Sequence, residues 1–584
     1  MEKANNTGAT VRRLLGYFTG YHIRLVLAIV MTVGSTVFTV LQPAVTGRII
    51  NTLFDSASSG SFNWRRIVGL LILLLALYFV AQLFSYLQNA LMNHIATRSI
   101  QQLREDVDYK VHALPLNYFD TRTTGDIMSV LSSDVDMIET TVSRSLTMMV
   151  SQVATAMGIL IMMLAINWRL ALVAVVTVPL SLLASKGVMR ASRRWFGEQQ
   201  RQLGDMNGFI EEMYDGQNVV QAFNHQGHAM ADFDAINDEL EAISRKANTA
   251  SGIVRPITSG VTNIGYAVSA LLGCTFAMNG VISLGNVQAM LQYTRQFSMP
   301  FTQMASLIGN ISAAIAAAER VFELLDEPEE TPDPEPGLLP KRSDGTVTFR
   351  HVSFGYNPDD TLMHDVSFRA LPGQKIAIVG PTGAGKTTLI NLLMRFYDID
   401  GGAIFVDGAN TRKMTRHELR SHFGMVLQDT WLFEGTVREN LAYGRDDVTD
   451  EEIVRAAQAA SVDSIIRAMP GGYDMMVSAG ASNVSQGERQ LLTIARAILS
   501  DPEIMILDEA TSNVDARTEA VIQDAMATLM RGRTSFVIAH RLSTIRDADQ
   551  ILYMEHGDIL EVGTHDELME QGGKYAALYN SQFE

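Results

Sequence analysis

The chain has 584 residues, 47% of them hydrophobic and only 19% charged, which is room for two or more domains and too apolar a balance for an ordinary soluble protein. A formal net charge of −17 argues against nucleic-acid binding, which needs a basic face. The single cysteine, Cys274, excludes an intrachain disulfide and a cysteine-based metal site, and its place in an apolar run predicts that it is packed.

After a short polar N-terminus, charge-free stretches long enough to cross ~30 Å of hydrocarbon recur. The first is too long for a signal-peptide core and is expected to be retained. Leu25–Gly47 and Ile67–Asn93 form one pair; Ser145–Trp168 and Leu170–Ser185 form a second, joined by a tight turn around Asn167. Pro256–Thr294 carries no charge and is long enough for more than one crossing; split near Ser283–Asn286, it yields a fifth span and a sixth that runs to about Ala318. Six spans, at roughly 23–47, 67–93, 145–168, 169–189, 256–282 and 286–318, predict an all-α polytopic membrane domain over 1–325. An even number of crossings returns the chain to its starting side.

Two long polar segments, roughly Ala96–Arg144 and Lys186–Arg255, separate spans two from three and four from five. Both keep helical periodicity and hold basic residues near the membrane, among them Arg98, Arg104, Lys186, Arg190 and Arg193, which assigns them to the cytoplasm. Arg65 and Arg66, on the other side, run against that rule. Each segment reads as a solvated helical hairpin or, more sharply, as one whose tip touches the domain that follows. Arg295 lies about ten residues into the sixth span, near mid-bilayer at ~1.5 Å per residue. No acid in the spans can pair with it, so it faces a wet cavity, another subunit or a structural partner. Frequent methionines such as Met148, Met149, Met162 and Met163 suit an adaptable apolar cavity and ordinary packing equally.

Asp326–Pro336 is rich in proline and acid, cannot form a core, and reads as a stiff linker within 326–343. Over 344–584 short β-rich runs alternate with amphipathic helices. Val347–Phe354, Ile376–Val379, Ile404–Val406, Phe423–Leu427, Ile504–Leu507 and Ser535–Ile538 are the predicted strands of an α/β domain with a largely parallel sheet.

Between the strand-like Lys375–Val379 and the helical Thr388–Met394 lies Gly380-Pro-Thr-Gly-Ala-Gly-Lys-Thr387, which fits G-x-x-x-x-G-K-[ST], the phosphate-binding loop. Gly380, Gly383 and Gly385 let backbone N–H groups curl around a phosphate with no Cβ in the way. The helix behind turns its positive end toward the same anion. Lys386 adds a point charge for the β- and γ-phosphates and the Thr387 hydroxyl can ligate Mg²⁺; Thr382, Ala384 and Thr388 complete the nucleotide cradle. About 120 residues later Ile504–Leu507 predicts a buried strand with acids at its carboxyl end. There Asp508 can hold the Mg²⁺ shell and Glu509 can polarise an attacking water. Between these elements, Asn483-Val-Ser-Gln-Gly-Glu-Arg-Gln490 precedes the helical run Leu491–Ile498.

On these motifs the chain resembles the ATP-binding-cassette (ABC) family, specifically its exporter-type half-transporters, over nearly its whole length. The resemblance implies further roles by position. Tyr356 matches the adenine-stacking aromatic, Gln428 the Q-loop glutamine that ligates Mg²⁺ and senses the membrane helices, and Ser485 with Gly487 the signature sequence. Thr511–Asp515 matches the D-loop, so Asp515 belongs to the nucleotide interface, and His540 matches the switch histidine at the γ-phosphate. ATP and Mg²⁺ are the implied cofactors. Thr387, Gln428 and Asp508 would surround the metal, and Glu509, His540 and Lys386 would be the catalytic group. Leu116–Asp120 with Gly125 and Asp126 resembles the first coupling segment, and Glu212–Phe223 the second.

The departures matter. The family's Leu-Ser-Gly-Gly-Gln signature is here Val484-Ser-Gln-Gly-Glu488; the Gly-Glu pair upstream is Ser478-Ala479, and the D-loop Ala-Leu is Asn513-Val514. In this family each ATP lies between the phosphate loop of one subunit and the signature of another, so one chain is half a machine. A complete phosphate side and an altered signature resemble the consensus-site subunit of a heterodimeric multidrug-type exporter; a homodimer with a working signature variant is the alternative.

The implied function is ATP-driven export of small amphipathic or hydrophobic molecules, drug- or lipid-like, by alternating access. Alternatives are an importer of siderophore-like cargo on an exporter scaffold, a homodimeric lipid or drug flippase, and a regulatory or channel-like protein, against which the complete hydrolytic residues weigh. No leader-peptidase domain is expected before span one. The implied partners are a second half-transporter, the lipid bilayer and a small-molecule substrate. The implied place is a bacterial cell membrane, with both termini and the ATPase domain cytoplasmic.

Overall fold

The computed structural model describes residues 7–334, 344–357, 360–427, 430–445, 447–508, 515–539 and 545–583. The chain divides into two compact units, Met1–Ala113 with Arg122–Glu327, and Leu114–Thr121 with Pro328–Glu584.

Among the described residues of the first unit six helices are long and apolar enough to cross a membrane: Thr19–Ser59, Trp64–Ala113, Thr124–Ile166, Trp168–Arg190, Gln226–Met278 and Leu284–Asp326. Trp64–Ala113 runs unbroken for 50 residues, about 75 Å at 1.5 Å per residue, so it outruns the hydrocarbon layer by a wide margin. Its apolar side chains point outward, with Leu75 73% and Phe79 69% exposed, as expected where the surrounding solvent is lipid. Cys274 follows the same rule. Expected to be packed, it is instead exposed on the fifth spanning helix, because an apolar run in such a helix needs no protein core to cover it.

Local chemistry sets the turns. The Asn167 side-chain oxygen accepts from the N–H groups of Arg169 (3.0 Å) and Leu170 (3.3 Å), capping the fourth span one residue after the third ends. Ser283 Oγ accepts from Asn286 N–H at 3.3 Å and starts the sixth. Gly47 and Gly285 let the first and sixth spans touch backbone to backbone: a Cβ on Gly285 would lie 1.8 Å from the Gly47 carbonyl oxygen. Below that contact Tyr293 is fully buried among Ile159, Met163, Leu170 and Ala174, and its hydroxyl donates to the Val40 carbonyl at 2.6 Å. Arg320 forks onto buried Asp134 at 2.8 and 2.5 Å, tying the sixth helix to the third.

Among the described residues the second unit holds two large sheets, a two-stranded ladder and a helical layer. β1 (Val347–Phe354), β2 (Met363–Ala370), β4 (Gly401–Val406) and β5 (Ala409–Asn410) form an antiparallel sheet ordered β2-β1-β4-β5. β3 (Lys375–Val379), β6 (Phe423–Val426), β9 (Ile504–Asp508), β10 (Thr534–Ile538), β11 (Gln550–Glu555) and β12 (Asp558–Gly563) form the other, ordered β12-β11-β3-β10-β9-β6. All its neighbours are parallel except the β11–β12 hairpin. β7 (Gly435–Thr436) and β8 (Met476–Val477) pair separately. The parallel strands are buried on both faces, as their unbroken apolar runs require. Phe349, Phe368, Phe536 and Leu389 fill the core between the sheets. A second core packs helix Gln486–Ser500, through Leu491 and Ile494, against Val426 and Leu507 of β6 and β9.

Candidate nucleotide site

The site grows from the carboxyl ends of the parallel strands, where an open α/β sheet leaves a crevice. β3 runs into the loop Gly380–Gly385, and helix Lys386–Leu393 follows at once, with Gly385 as its N-cap. Gly383 and Gly385 hold φ of +81° and +93°, left-handed values that a side chain would strain. A Cβ on Gly380 would stand 2.2 Å from the Met554 carbonyl oxygen, so the loop lies directly against β11. The turn between β11 and β12 backs it from behind, where Gly557 N–H donates to the Ala384 carbonyl at 3.0 Å. The result is a fixed ring of backbone N–H groups at a helix N-terminus, the arrangement that binds phosphate.

Lys386 Nζ donates to the carbonyls of Gly380 (2.7 Å) and Pro381 (3.0 Å), which lays the ammonium across the mouth of its own loop. Burial lowers its pKa below the ordinary lysine value, and the Asp508 carboxylate pulls it partway back. Asp508 ends β9. It aligns with Ile538 of β10, and Ile538 in turn aligns with Ile378 of β3, so register alone brings the acid beside the strand that launches the loop. Thr387 and Thr388 occupy the first turn of the helix behind the loop.

Tyr356 stands on the same face. Its hydroxyl and Thr388 Oγ1 are 3.0 Å apart, and its ring remains 41% exposed, edge-on to Phe354 and to Tyr397, whose centroid is 5.1 Å away. An open aromatic face tethered to the phosphate loop is what a nucleotide base stacks on. Tyr397 escaped the sequence reading, since nothing in Arg395–Asp398 distinguishes it from a core aromatic. Gly557 escaped as well, although its neighbour His556 and a φ of +86° mark a tight turn.

Ser485 stands on another element, at the start of helix Gln486–Ser500, with Gly487 buried in the first turn. It forms a capping box: Ser485 N–H and Ser485 Oγ donate to the Glu488 carboxylate at 2.9 and 2.7 Å, and Glu488 N–H donates back at 3.4 Å. Asp515 caps helix Ala516–Met530 by accepting from the N–H groups of Arg517 and Thr518, both at 3.1 Å, and hydrogen bonding to Thr518 lowers its pKa. The structure thus brings Tyr356, the loop from Gly380 to Thr388 (Thr382 and Ala384 included) and Asp508 together, and sets Ser485 and Gly487 at a separate helix terminus. Gln428, Glu509, His540 and the D-loop residues Thr511–Val514 lie outside the described residues.

Two family models match the chain: the ABC transporter transmembrane region over residues 25–301 and the ABC transporter domain over residues 363–512. The chain is 47% identical over 505 residues to the fatty acid ABC transporter ATP-binding/permease protein of Mycobacterium tuberculosis, covering 86% of this chain and 80% of that one. It is 39% identical over 582 residues to the uncharacterized ABC transporter ATP-binding protein YfiC of Bacillus subtilis, covering 100% and 96%. It is 32% identical over 579 residues to the ATP-dependent lipid A-core flippase of Chromobacterium violaceum, covering 99% and 98%.

Proposed function

The chain belongs to the ABC transporter family, and from that premise we propose that it is one half of a heterodimeric exporter of small amphipathic or hydrophobic molecules. It is a multi-pass membrane protein that binds ATP and hydrolyses it to drive transport. Two relatives named for fatty acid and for lipid A-core support lipid-like cargo.

The heterodimer reading is carried by one observation. The sequence keeps the phosphate-side residues Lys386, Asp508, Glu509 and His540, whereas the signature serine spends its hydroxyl on Glu488, a carboxylate where the family has glutamine. A second negative charge beside a γ-phosphate opposes closure of the site that this signature would complete. On this reading Lys386, Glu509 and His540 form the hydrolytic site with a partner's signature, and Ser485, Gly487 and Asp515 close a poorly hydrolysing one. Tyr214, Val219 and Phe223, 80%, 61% and 77% exposed at the second coupling segment, supply an apolar surface for the partner half.

Mg²⁺ fits the donors: Thr387 and Asp508 offer the hard oxygen ligands this cation takes, and Gln428 would add a third. When bound it neutralises phosphate charge. Around it the chain's own groups do the positioning: the loop N–H groups orient the phosphates, Lys386 fixes the terminal one, Tyr356 stacks the base, and Glu509 takes the water proton. Termini and ATPase domain face the cytoplasm on this account.

The test is co-expression with a tagged second half-transporter and native mass measurement of what is captured. A one-to-one complex whose ATPase collapses with Glu509→Gln supports the reading. A homodimer with full ATPase removes the heterodimer and leaves transport standing.

A further inference from the structure

Two adjoining cavities open among the fourth, fifth and sixth spanning helices, of about 380 and 870 Å³. They share Ser181, Leu182, Arg255, Thr258 and Thr302, so they adjoin along a common wall. Every charged residue that lines them is a cation: Arg255 and Arg295 in the smaller part, Arg255 again with Lys186, Arg190 and Arg193 in the larger. No described carboxylate lies along them or pairs with any of these groups.

The positive-inside tendency accounts for lysine and arginine at the cytosolic end of a span. It does not account for the rest. Arg295 sits 11 residues past Leu284, about 16 Å along the sixth helix. There it leans on the Tyr266 ring at 4.9 Å with no described anion to meet it. Intramembrane charge of this kind faces an aqueous or ligand-filled space. Lys186, Arg190 and Arg193 follow one another at helical i, i+4 and i+7 spacing, an arrangement of like charges that repels itself unless an anion enters. Ser181 is 8% exposed, lines both parts, and its Oγ makes no hydrogen bond, although the carbonyl one turn back is the usual acceptor for a helical serine. A buried hydroxyl left without a partner costs free energy that a ligand oxygen would recover.

Building on the export reading above, we propose that these cavities receive the anionic head group of an amphiphile, a carboxylate or phosphate on an apolar chain, paired by Arg255 and Arg295 and hydrogen-bonded by Ser181. The basic stretch at Lys186–Arg193 draws the head group inward from the cytosolic side. The apolar tail lies along Leu182, Met299 and Phe301.

The experiment uses the full complex in nanodiscs of zwitterionic lipid. It measures binding and ATPase stimulation by hexadecanoate, hexadecyl phosphate, hexadecanol and hexadecyltrimethylammonium, with inorganic phosphate and phosphatidylglycerol-doped nanodiscs as separate arms. The proposal expects saturable binding of the two anionic chains and at least about tenfold weaker binding after Arg255→Gln with Arg295→Gln, since losing even one of the two charge-assisted contacts weakens binding that much. It expects binding to survive Arg295→Lys. Competition of hexadecanoate by phosphatidylglycerol would identify the bilayer as the source, and its absence a free single-chain amphiphile. Equal binding of alcohol and ammonium, unchanged affinity in the double variant, loss in Arg295→Lys equal to that in Arg295→Gln, or inorganic phosphate binding as tightly as the chains would each overturn the proposal. If neutral or cationic amphiphiles alone stimulate ATPase, the export reading stands without it; if no amphiphile of any charge does, both fall.

Discussion

The Tyr397 hydroxyl donates to the Asp120 carboxylate, joining residues 277 apart in the chain. Asp120 belongs to Leu114–Thr121, the stretch of the polar segment after the second span that groups with the ATPase unit. The Tyr397 ring stands edge-on to Tyr356 at 5.1 Å. Burial and the Asp120 charge raise the Tyr397 pKa well above the ordinary tyrosine value, so the donor stays protonated across neutral pH. One short aromatic step therefore connects Tyr356, the proposed base-stacking residue, to Asp120 of the proposed first coupling segment. Tyr397→Phe keeps the ring and removes the bond, worth about 1 kcal/mol at a partly exposed site. The expected outcome is near-normal nucleotide affinity with weakened stimulation of ATPase by transport substrate, read by comparing basal and stimulated rates. Equal stimulation in variant and parent would detach Asp120 from coupling.

Gly557 supports the phosphate loop from behind. Its φ is +86°, and a Cβ there would lie 1.8 Å from the Leu362 carbonyl oxygen. Gly557→Ala should cost about 1–3 kcal/mol in backbone strain and shift the N–H that holds Ala384. Nucleotide titration should show weaker ATP binding although no residue touching ATP has changed. An unaltered dissociation constant would mean the loop needs no such backing.

Lys386 and Glu509 should separate binding from chemistry. Lys386→Ala removes the ammonium laid over the loop and should weaken nucleotide binding. Glu509→Gln should leave binding intact and reduce turnover by about 10²–10⁴-fold, the usual contribution of a general base. Wild-type ATPase in Glu509→Gln, with the partner present, would remove the base assignment.

Glu488→Gln restores the family's residue at the signature and releases the Ser485 hydroxyl from a carboxylate. If this signature closes the weakly hydrolysing site, total ATPase should change far less than it does in Glu509→Gln. A large gain would place a competent glutamate opposite Ser485 and favour two identical halves.

What could be read from sequence was whatever local spacing encodes. The phosphate loop announces itself because its glycines and lysine are consecutive, and the spanning helices because apolar length is counted along the chain. The predicted strands are all present, but the sequence pattern does not mark β2, β11 and β12, nor the two-residue strands β5, β7 and β8. Met363–Ala370 exposes His364, Asp365 and Arg369 on its outer face and so looks like a loop. Tyr397 and Gly557 acquire their roles only from neighbours distant in sequence, Asp120 for one and Leu362 for the other. Cys274 was expected to be packed because an apolar run was equated with a core, an inference that fails where lipid is the solvent.

The most direct test is ATP-driven movement of a fluorescent amphiphile into inside-out vesicles that contain the chain and its partner half. The account predicts accumulation that requires ATP and disappears in Glu509→Gln. Equal accumulation in that variant, or none in the parent while ATP is consumed, would contradict it.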